Sequence, residues 1–294
     1  MMLAQLLLDA PTIDPQAVDL DAADRVTYLL EQTFRYEYPQ PVRGLKQRLV
    51  ALPPARHGNQ YLLAHRLDVD GAAARRESRH DAHGNTVVRL RVDRVEQTVQ
   101  FRIGALLVRV QRDGPVALAA TALGDPRLLR PTRLTAPDDR LRTLAAELAG
   151  HDSPLDQADR ICRAVHGAIA YEYGVTSIHT TAAEALAGGR GVCQDSAHIM
   201  LALCHLLGLP ARYVSGHLIG QGGTHAWVEV LARRDDRAIA LPFDPCNGVP
   251  ASARYLTVAT GRDYSDVAPT SGTYLGPAGG HLTTERRLAV LAAA

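Results

Sequence analysis

Cysteine is scarce in this chain: four in 294 residues, Cys162, Cys193, Cys204 and Cys246. No two are spaced as C-x-x-C and no interval recurs, so neither a structural zinc site nor a disulfide framework is expected. Lysine is scarcer still, with Lys46 the single example; arginine supplies the rest of the positive charge, and the net charge is only +1. That balance gives no reason to expect nucleic acid or an acidic membrane surface as a partner. No apolar run approaches the roughly 20 residues that cross a bilayer. The opening run, Met1 to Leu8, has no basic stretch before it and no small-residue cleavage site, so it does not read as a secretory signal. The expected location is the cytoplasm, where a free thiol stays reduced. A G-x-S-x-G elbow, a P-loop, a dinucleotide fingerprint and a calcium-loop signature are all missing, and no cofactor or metal is expected. Cys162 and His166 share a helical spacing, but two ligands without further partners do not make a metal site.

What is present centres on Gly191-Val192-Cys193-Gln194-Asp195-Ser196-Ala197-His198-Ile199-Met200. A glycine-rich turn, Gly188-Gly189-Arg190-Gly191, leads into an apolar stripe at helical spacing: Ala197, Met200, Leu201, Cys204 and Leu207. Gly208 and Pro210 stop it. Cys193 therefore falls in the first turn of a helix, where unpaired N–H groups and the positive end of the macrodipole favour a thiolate. Thr224 to Val230 alternates and reads as a strand with His225 near its start. Ala240 to Phe243 reads as the next strand, ending at Asp244-Pro245 in a turn. Cysteine at a helix start, histidine on a strand and aspartate at the end of the following strand are the parts of a nucleophile, a base and an orienter. Gln194 is a candidate second oxyanion donor and Trp227 a candidate wall of the substrate site. Asp195 reads as a partner of the first helical turn and His198 as a hydrogen-bonding core residue.

The segments Gly191–Asp195, Ala211-Arg212-Tyr213-Val214-Ser215-Gly216, Thr224-His225-Ala226-Trp227, Phe243-Asp244-Pro245 and Gly261-Arg262-Asp263-Tyr264-Ser265-Asp266 together resemble bacterial transglutaminase-like proteins. That superfamily includes cysteine proteases and amidases. The resemblance implies a papain-like core with a Cys-His-Asp triad, here Cys193, His225 and Asp244. Ser196 stands where relatives often have an aromatic residue, and Cys246 where threonine is usual. The implied activity is attack on an amide of a peptide or protein substrate through an acyl-enzyme. Hydrolysis by a cysteine protease or amidase comes first; transfer to an amine, as in a transglutaminase, and a silent peptide-binding module are the alternatives.

The rest of the chain gives an α+β organisation. Residues 1–22 read as an arm. Residues 23–115 read as an all-β domain, from period-two stretches such as Val26 to Tyr38 and Val99 to Val110. Residues 116–137 read as a linker, and 138–294 as the catalytic domain, with helices packed on an antiparallel sheet. Ser153-Pro154 and Thr181-Ala182-Ala183-Glu184 carry helix-start signals. The tail from Gly261 reads as strand-like patches broken by glycine. His57, His65, His80 and His83 read as surface histidines, and Cys162 and Cys204 as core residues.

Overall fold

The structure, a computed structural model, describes residues 11–150, 153–277 and 279–294. Residues 1–10, the first part of the expected arm, lie outside the described residues. The remainder of the arm is docked: Ile13 bridges to Val290 and Leu20 is buried.

Alternation builds the amino-terminal half. In β1 (Arg25–Glu37) Val26, Tyr28, Leu30 and Phe34 are buried at period two, the spacing that puts residues on one face of a strand. There follow β2 (Val42–Leu52), β3 (Arg56–His57), β4 (Gln60–Asp70), β5 (Arg75–His80), β6 (Thr86–Val95), β7 (Thr98–Val110) and β8 (Val116–Ala119). Helices then occupy Pro126–Leu129, Asp139–Leu148 and Pro154–Ala168, the last capped by Ser153 with proline in its first turn. After β9 (Ala170–Tyr171) comes the helix Ala182–Gly188, opened by the Thr181–Glu184 capping box, then β10 (Arg190–Gly191) and the helix Cys193–Leu206. The remaining strands are β11 (Ala211–Leu218), β12 (His225–Arg234), β13 (Arg237–Asp244), β14 (Val249–Pro250), β15 (Tyr255–Gly261), β16 (Thr270–Leu275) and β17 (His281–Ala293), with a one-turn helix at Tyr264–Val267.

Three antiparallel sheets result. One runs β17-β1-β7-β4-β3, a second β16-β2-β6-β5, and a third β14-β13-β12-β11-β15 with β8 added on β13. Helices pack on the third sheet around Cys193–Leu206, in which every residue from Gln194 to Cys204 is buried. A helix apolar on all sides is a core helix, and here it is enclosed by Ile161 and Val165 on one flank and Val228 and Val230 on the other. The α+β arrangement read from the sequence is the one the chain adopts.

The division into domains needs correction. Residues 116–119 are not linker: they form a strand of the helix-covered sheet. The tail is not part of that sheet: β16 pairs with β2, and β17 pairs with β1 along its full length. Gly272 lies inside β16 without breaking it, and Gly276, Gly279 and Gly280 fall between β16 and β17. The physical reason is edge protection, since β1 and β2 would otherwise offer unpaired backbone to other chains.

One face of the first sheet covers two partners. Phe34, Phe101 and Ile103 pack against the second sheet, while Tyr28, Leu30 and Leu107 pack against Ile219, Leu256 and Val258 of the third. Two side-chain amides seal the seam by imitating a strand. Gln60 bonds both backbone groups of Thr257 (2.8 and 2.9 Å), and Asn85 bonds both of Thr260 (2.7 and 2.8 Å). Two histidines expected at the surface also cross the seam. His57 Nε2 meets Glu229 Oε1 at 2.6 Å, and His83 Nε2 meets Asp266 Oδ2 at 3.3 Å. His65 and His80 are exposed as expected.

Candidate active site

The site begins with how the chain holds Cys193 at the first position of its helix. Strand β9 pairs in parallel with β10, which delivers the chain to the helix start. Asp195, buried in the first turn, accepts from the Val192 N–H (2.8 Å) and the Thr176 hydroxyl (2.7 Å). It thus caps the helix and fastens the 176 loop to it. Gly191 is required there, because a Cβ would stand 2.6 Å from Asp195 Oδ2. The N–H of Cys193, as first helical residue, has no partner within the helix and remains available as a donor. Cys193 itself is half-buried.

His225 opens β12 and is 3% exposed; Asp244 closes β13 and is fully buried. His225 Nε2 donates to Asp244 Oδ2 at 2.7 Å, and the Cys193 side chain is close enough to the ring to help raise its pKa. The structure thus brings together the three residues singled out from the sequence. Asp244 accepts four further hydrogen bonds. Its Oδ1 takes the N–H groups of Cys246 (2.9 Å) and Asn247 (3.2 Å), and its Oδ2 takes the Asn247 side-chain amide (2.6 Å) and the Tyr255 hydroxyl (2.7 Å). Burial pushes its carboxyl pKa up, but the donors led by His225 outweigh burial and hold it below the usual range. Burial likewise pulls His225 down, and the hydrogen bonds and charges of Asp244 and Cys193 more than reverse that, holding it at about 9. The ring is therefore a cation at neutral pH, pinned through Nε2 with its other nitrogen left for the sulfur.

The remaining expectations fall out unevenly. Gln194 is nearly buried and its Nε2 donates to the Ser177 carbonyl at 3.3 Å, so its amide is engaged with the 176 loop. Trp227 is 1% exposed. The expectation that it contacts substrate is corrected, because a ring without surface cannot do so. It stacks behind His225 (6.2 Å between centroids) and meets Tyr255 edge-on (5.4 Å). Gly216 leaves room for that ring: a Cβ there would lie 2.5 Å from Trp227 Cη2. His198 accepts from the Tyr264 N–H at 3.2 Å, and burial lowers its pKa to about 4, so it is a neutral core residue. Cys162 and Cys204 are fully buried. His166 Nδ1 bonds the Cys246 carbonyl at 2.9 Å, a contact of structure rather than of metal ligation. Among the described residues no three His, Cys, Asp or Glu side chains converge as a metal site would require, and no helix is long and apolar enough to cross a membrane.

Sequence reasoning missed Tyr255 and Asn247, the two side chains that fix Asp244. The Asn247-Gly248 turn signal after Asp244 was available, since asparagine in such a turn bonds back to a nearby residue. For Tyr255 no local signal exists.

Comparisons with known proteins place the chain in a family. Residues 142–241 match the model of the transglutaminase-like superfamily, a span that includes Cys193 and His225 and stops just short of Asp244. Residues 28–107 match the bacterial transglutaminase-like N-terminal region. An uncharacterised protein of Mycobacterium leprae is 33% identical over 51% of this chain and 55% of its own length, so the match spans about half of that relative. An uncharacterised protein of Mycobacterium tuberculosis is 30% identical over 75% of this chain and 79% of its own length. The crystal structure of a candidate cysteine protease from Cytophaga hutchinsonii superposes with a TM-score of 0.73, covering 92% of each chain at 23% identity; it shares the fold. With both halves matched in order and the fold shared end to end, the chain belongs to the bacterial transglutaminase-like superfamily.

Proposed function

We propose that this protein is a thiol enzyme that cleaves amide bonds of peptides or proteins through an acyl-enzyme on Cys193, and that it works in the cytoplasm. The observation that carries the reading is the His225–Asp244 hydrogen bond with Cys193 beside the ring and its sulfur at a helix start. The Cys193 sulfur attacks the carbonyl carbon. The thiol proton passes through His225 to the departing amine, and Asp244 keeps the ring oriented and its charge compensated. The Cys193 N–H is one oxyanion donor. Water then attacks the thioester, with His225 taking its proton, and the acid product leaves. A solved neighbour of the same fold that bears the name of a candidate cysteine protease supports hydrolysis over transfer.

Intact-mass analysis of wild type and Cys193→Ala with glutamine-containing and isopeptide-linked peptides tests this. Cleavage or deamidation that depends on Cys193 is expected. Loss of ammonia with gain of an added amine would replace hydrolysis by acyl transfer. Equal turnover by Cys193→Ala would sink the assignment altogether.

A further inference from the structure

The outer face of the second sheet gathers positive charge that the net value of +1 conceals. Across β2 and β6, Lys46 stands directly opposite Arg91, and Arg48 directly opposite Arg89. The first row runs on to Arg75 of β5, which also stands opposite Arg91. Lys46, Arg89 and Arg91 are exposed and Arg48 is half-buried. Like charges directly across a ladder destabilise a sheet. The register cannot slip to separate them, because Leu45, Leu49, Leu90 and Val92 of the same two strands fill the core on the other face.

Lys46, Arg48, Arg89 and Arg91 line one depression of about 420 Å³. Its far wall is β16, where Ser271 lies opposite Arg48 and Thr273 opposite Lys46. No carboxylate lines it. Among the described residues the side chains of Lys46, Arg89 and Arg91 have no ion-pair or hydrogen-bond partner. Arg48 donates to the Asp266 carbonyl at 2.9 Å. Burial pulls the Arg48 pKa down; Asp81 and Asp266 resist this, and Arg89 and Arg79 add to it. The acids on this side are engaged or stand outside. Asp266 holds Arg262 (2.9 Å), Asp81 holds the Asn85 amide (2.9 Å), Asp93 faces Arg75 (3.5 Å), and Glu77 lies on β5 beyond Arg89. Single arginines scattered on a surface are ordinary solvated charge. Here cations stand in facing pairs around a hollow, with hydroxyls as the neutral donors beside them.

We propose that this depression is a binding site for a small molecule bearing two or more phosphoryl groups. Neighbouring strands lie about 4.8 Å apart and alternate residues along a strand about 7 Å apart, so the four cations mark out a compact rectangle. Carboxylates spaced along a peptide do not concentrate enough negative charge to satisfy it. A phosphoryl group carries about −1.5 to −2 and three acceptor oxygens, and the guanidinium fork matches two of those oxygens at once. An anion seated between Lys46 and Arg91, and between Arg48 and Arg89, turns two repulsive pairs into attractive ones. The site is independent of the thiol chemistry proposed for Cys193.

The probe is inorganic tripolyphosphate, titrated into the full chain and followed by calorimetry. Wild type should bind one equivalent, more weakly as salt is added. Lys46→Gln and Arg91→Gln should each weaken binding about tenfold, the loss of one hydrogen bond to a charged group, and Arg91→Lys should recover part of it. Arg234→Gln removes an exposed charge from β12 of another sheet and should leave binding unchanged. An equal loss in that variant would reduce the effect to bulk charge and overturn the site, as would the absence of saturable binding. Without ligand, Arg91→Gln should melt no lower than wild type, because it relieves repulsion across the ladder. A clearly lower melting temperature would mark the cations as structural and overturn the reading. Adenosine triphosphate should compete with tripolyphosphate for the same site. Binding to vesicles of anionic phospholipid with none to tripolyphosphate or adenosine triphosphate would replace the small molecule by a membrane surface and reject the proposal.

Discussion

At the scale of residues, five hydrogen bonds converge on the one carboxylate that orients His225, and they set what each substitution does. Cys193→Ala should abolish turnover with the fold intact, and His225→Ala should be nearly as severe. Their combination should be hardly worse than either alone, since residues acting as one unit are not additive. Asp244→Asn should cost activity about 10²–10⁴-fold, because an amide there no longer demands the N–H on Nε2. The same change has a pH signature. His225 is raised from 6.5 to about 9, so its contribution to stability is complete below about pH 6.5 and is lost as pH rises through about 9. Urea unfolding should show wild type and Asp244→Asn furthest apart in neutral or mildly acidic buffer and converging above pH 9; a gap that widens there would contradict the assignment. Tyr255 makes the limits of sequence reading plain. Cys193, His225 and Asp244 were legible because each stands at an element boundary marked by its neighbours: a glycine turn, a strand start, an Asp-Pro. Tyr255 touches Asp244 from the start of another strand, and nothing beside it in the chain announces the contact.

At the scale of elements, β15 has β11 on one side and, on the other, side-chain amides in place of a strand. Asn85→Ala would leave the N–H and C=O of Thr260 buried without partners, at a cost of about 1–3 kcal/mol for each group. Thermal unfolding should show a loss of about 2–6 kcal/mol for this variant; a loss under about 0.5 kcal/mol would mean water substitutes freely. The periodicities of β1, β7 and β11 to β13 were readable because each strand buries one face or both. The tail was not. Gly272 sits inside β16 and the other glycines fall between β16 and β17, while its partners lie more than two hundred residues earlier, so no local pattern shows that these strands complete the first two sheets.

At the scale of the whole molecule, the two halves are joined by charge as well as by packing. Glu229 is 3% exposed and lies between Arg212 (Nε at 2.7 Å) and His57. Burial pushes its pKa up, but Arg212 and His57 overcome this and bring it to about 2. A carboxylate depressed in this way stabilises the fold above its ordinary value of 4.5, and the effect fades as pH falls toward 2. Wild type should exceed Glu229→Gln by about 3 kcal/mol at pH 6, since each tenfold gain in acidity on folding is worth about 1.4 kcal/mol. The difference should shrink steadily at pH 4 and 3. A difference that does not depend on pH would show that the pair holds the seam by shape alone. By the same logic residues 138–294 alone should not fold. Cutting there strips β17 from β1 and β16 from β2 and bares the face of Ile219, Leu256 and Val258. Circular dichroism and gel filtration of that piece should report an aggregated or unfolded chain.

The pairing of the last strand with the first also sets a clock. Glu31 and its ion-pair partner Arg287 are 256 positions apart. At roughly 5–20 residues per second, β1 leaves the ribosome on the order of ten seconds to a minute before the strand that closes its sheet. Through that interval its edge is open to any passing strand. A nascent chain can hold Cys193, His225 and Asp244 and still lack the strand that closes the first sheet, so the seam between that sheet and the helix-covered one is complete only when β17 arrives.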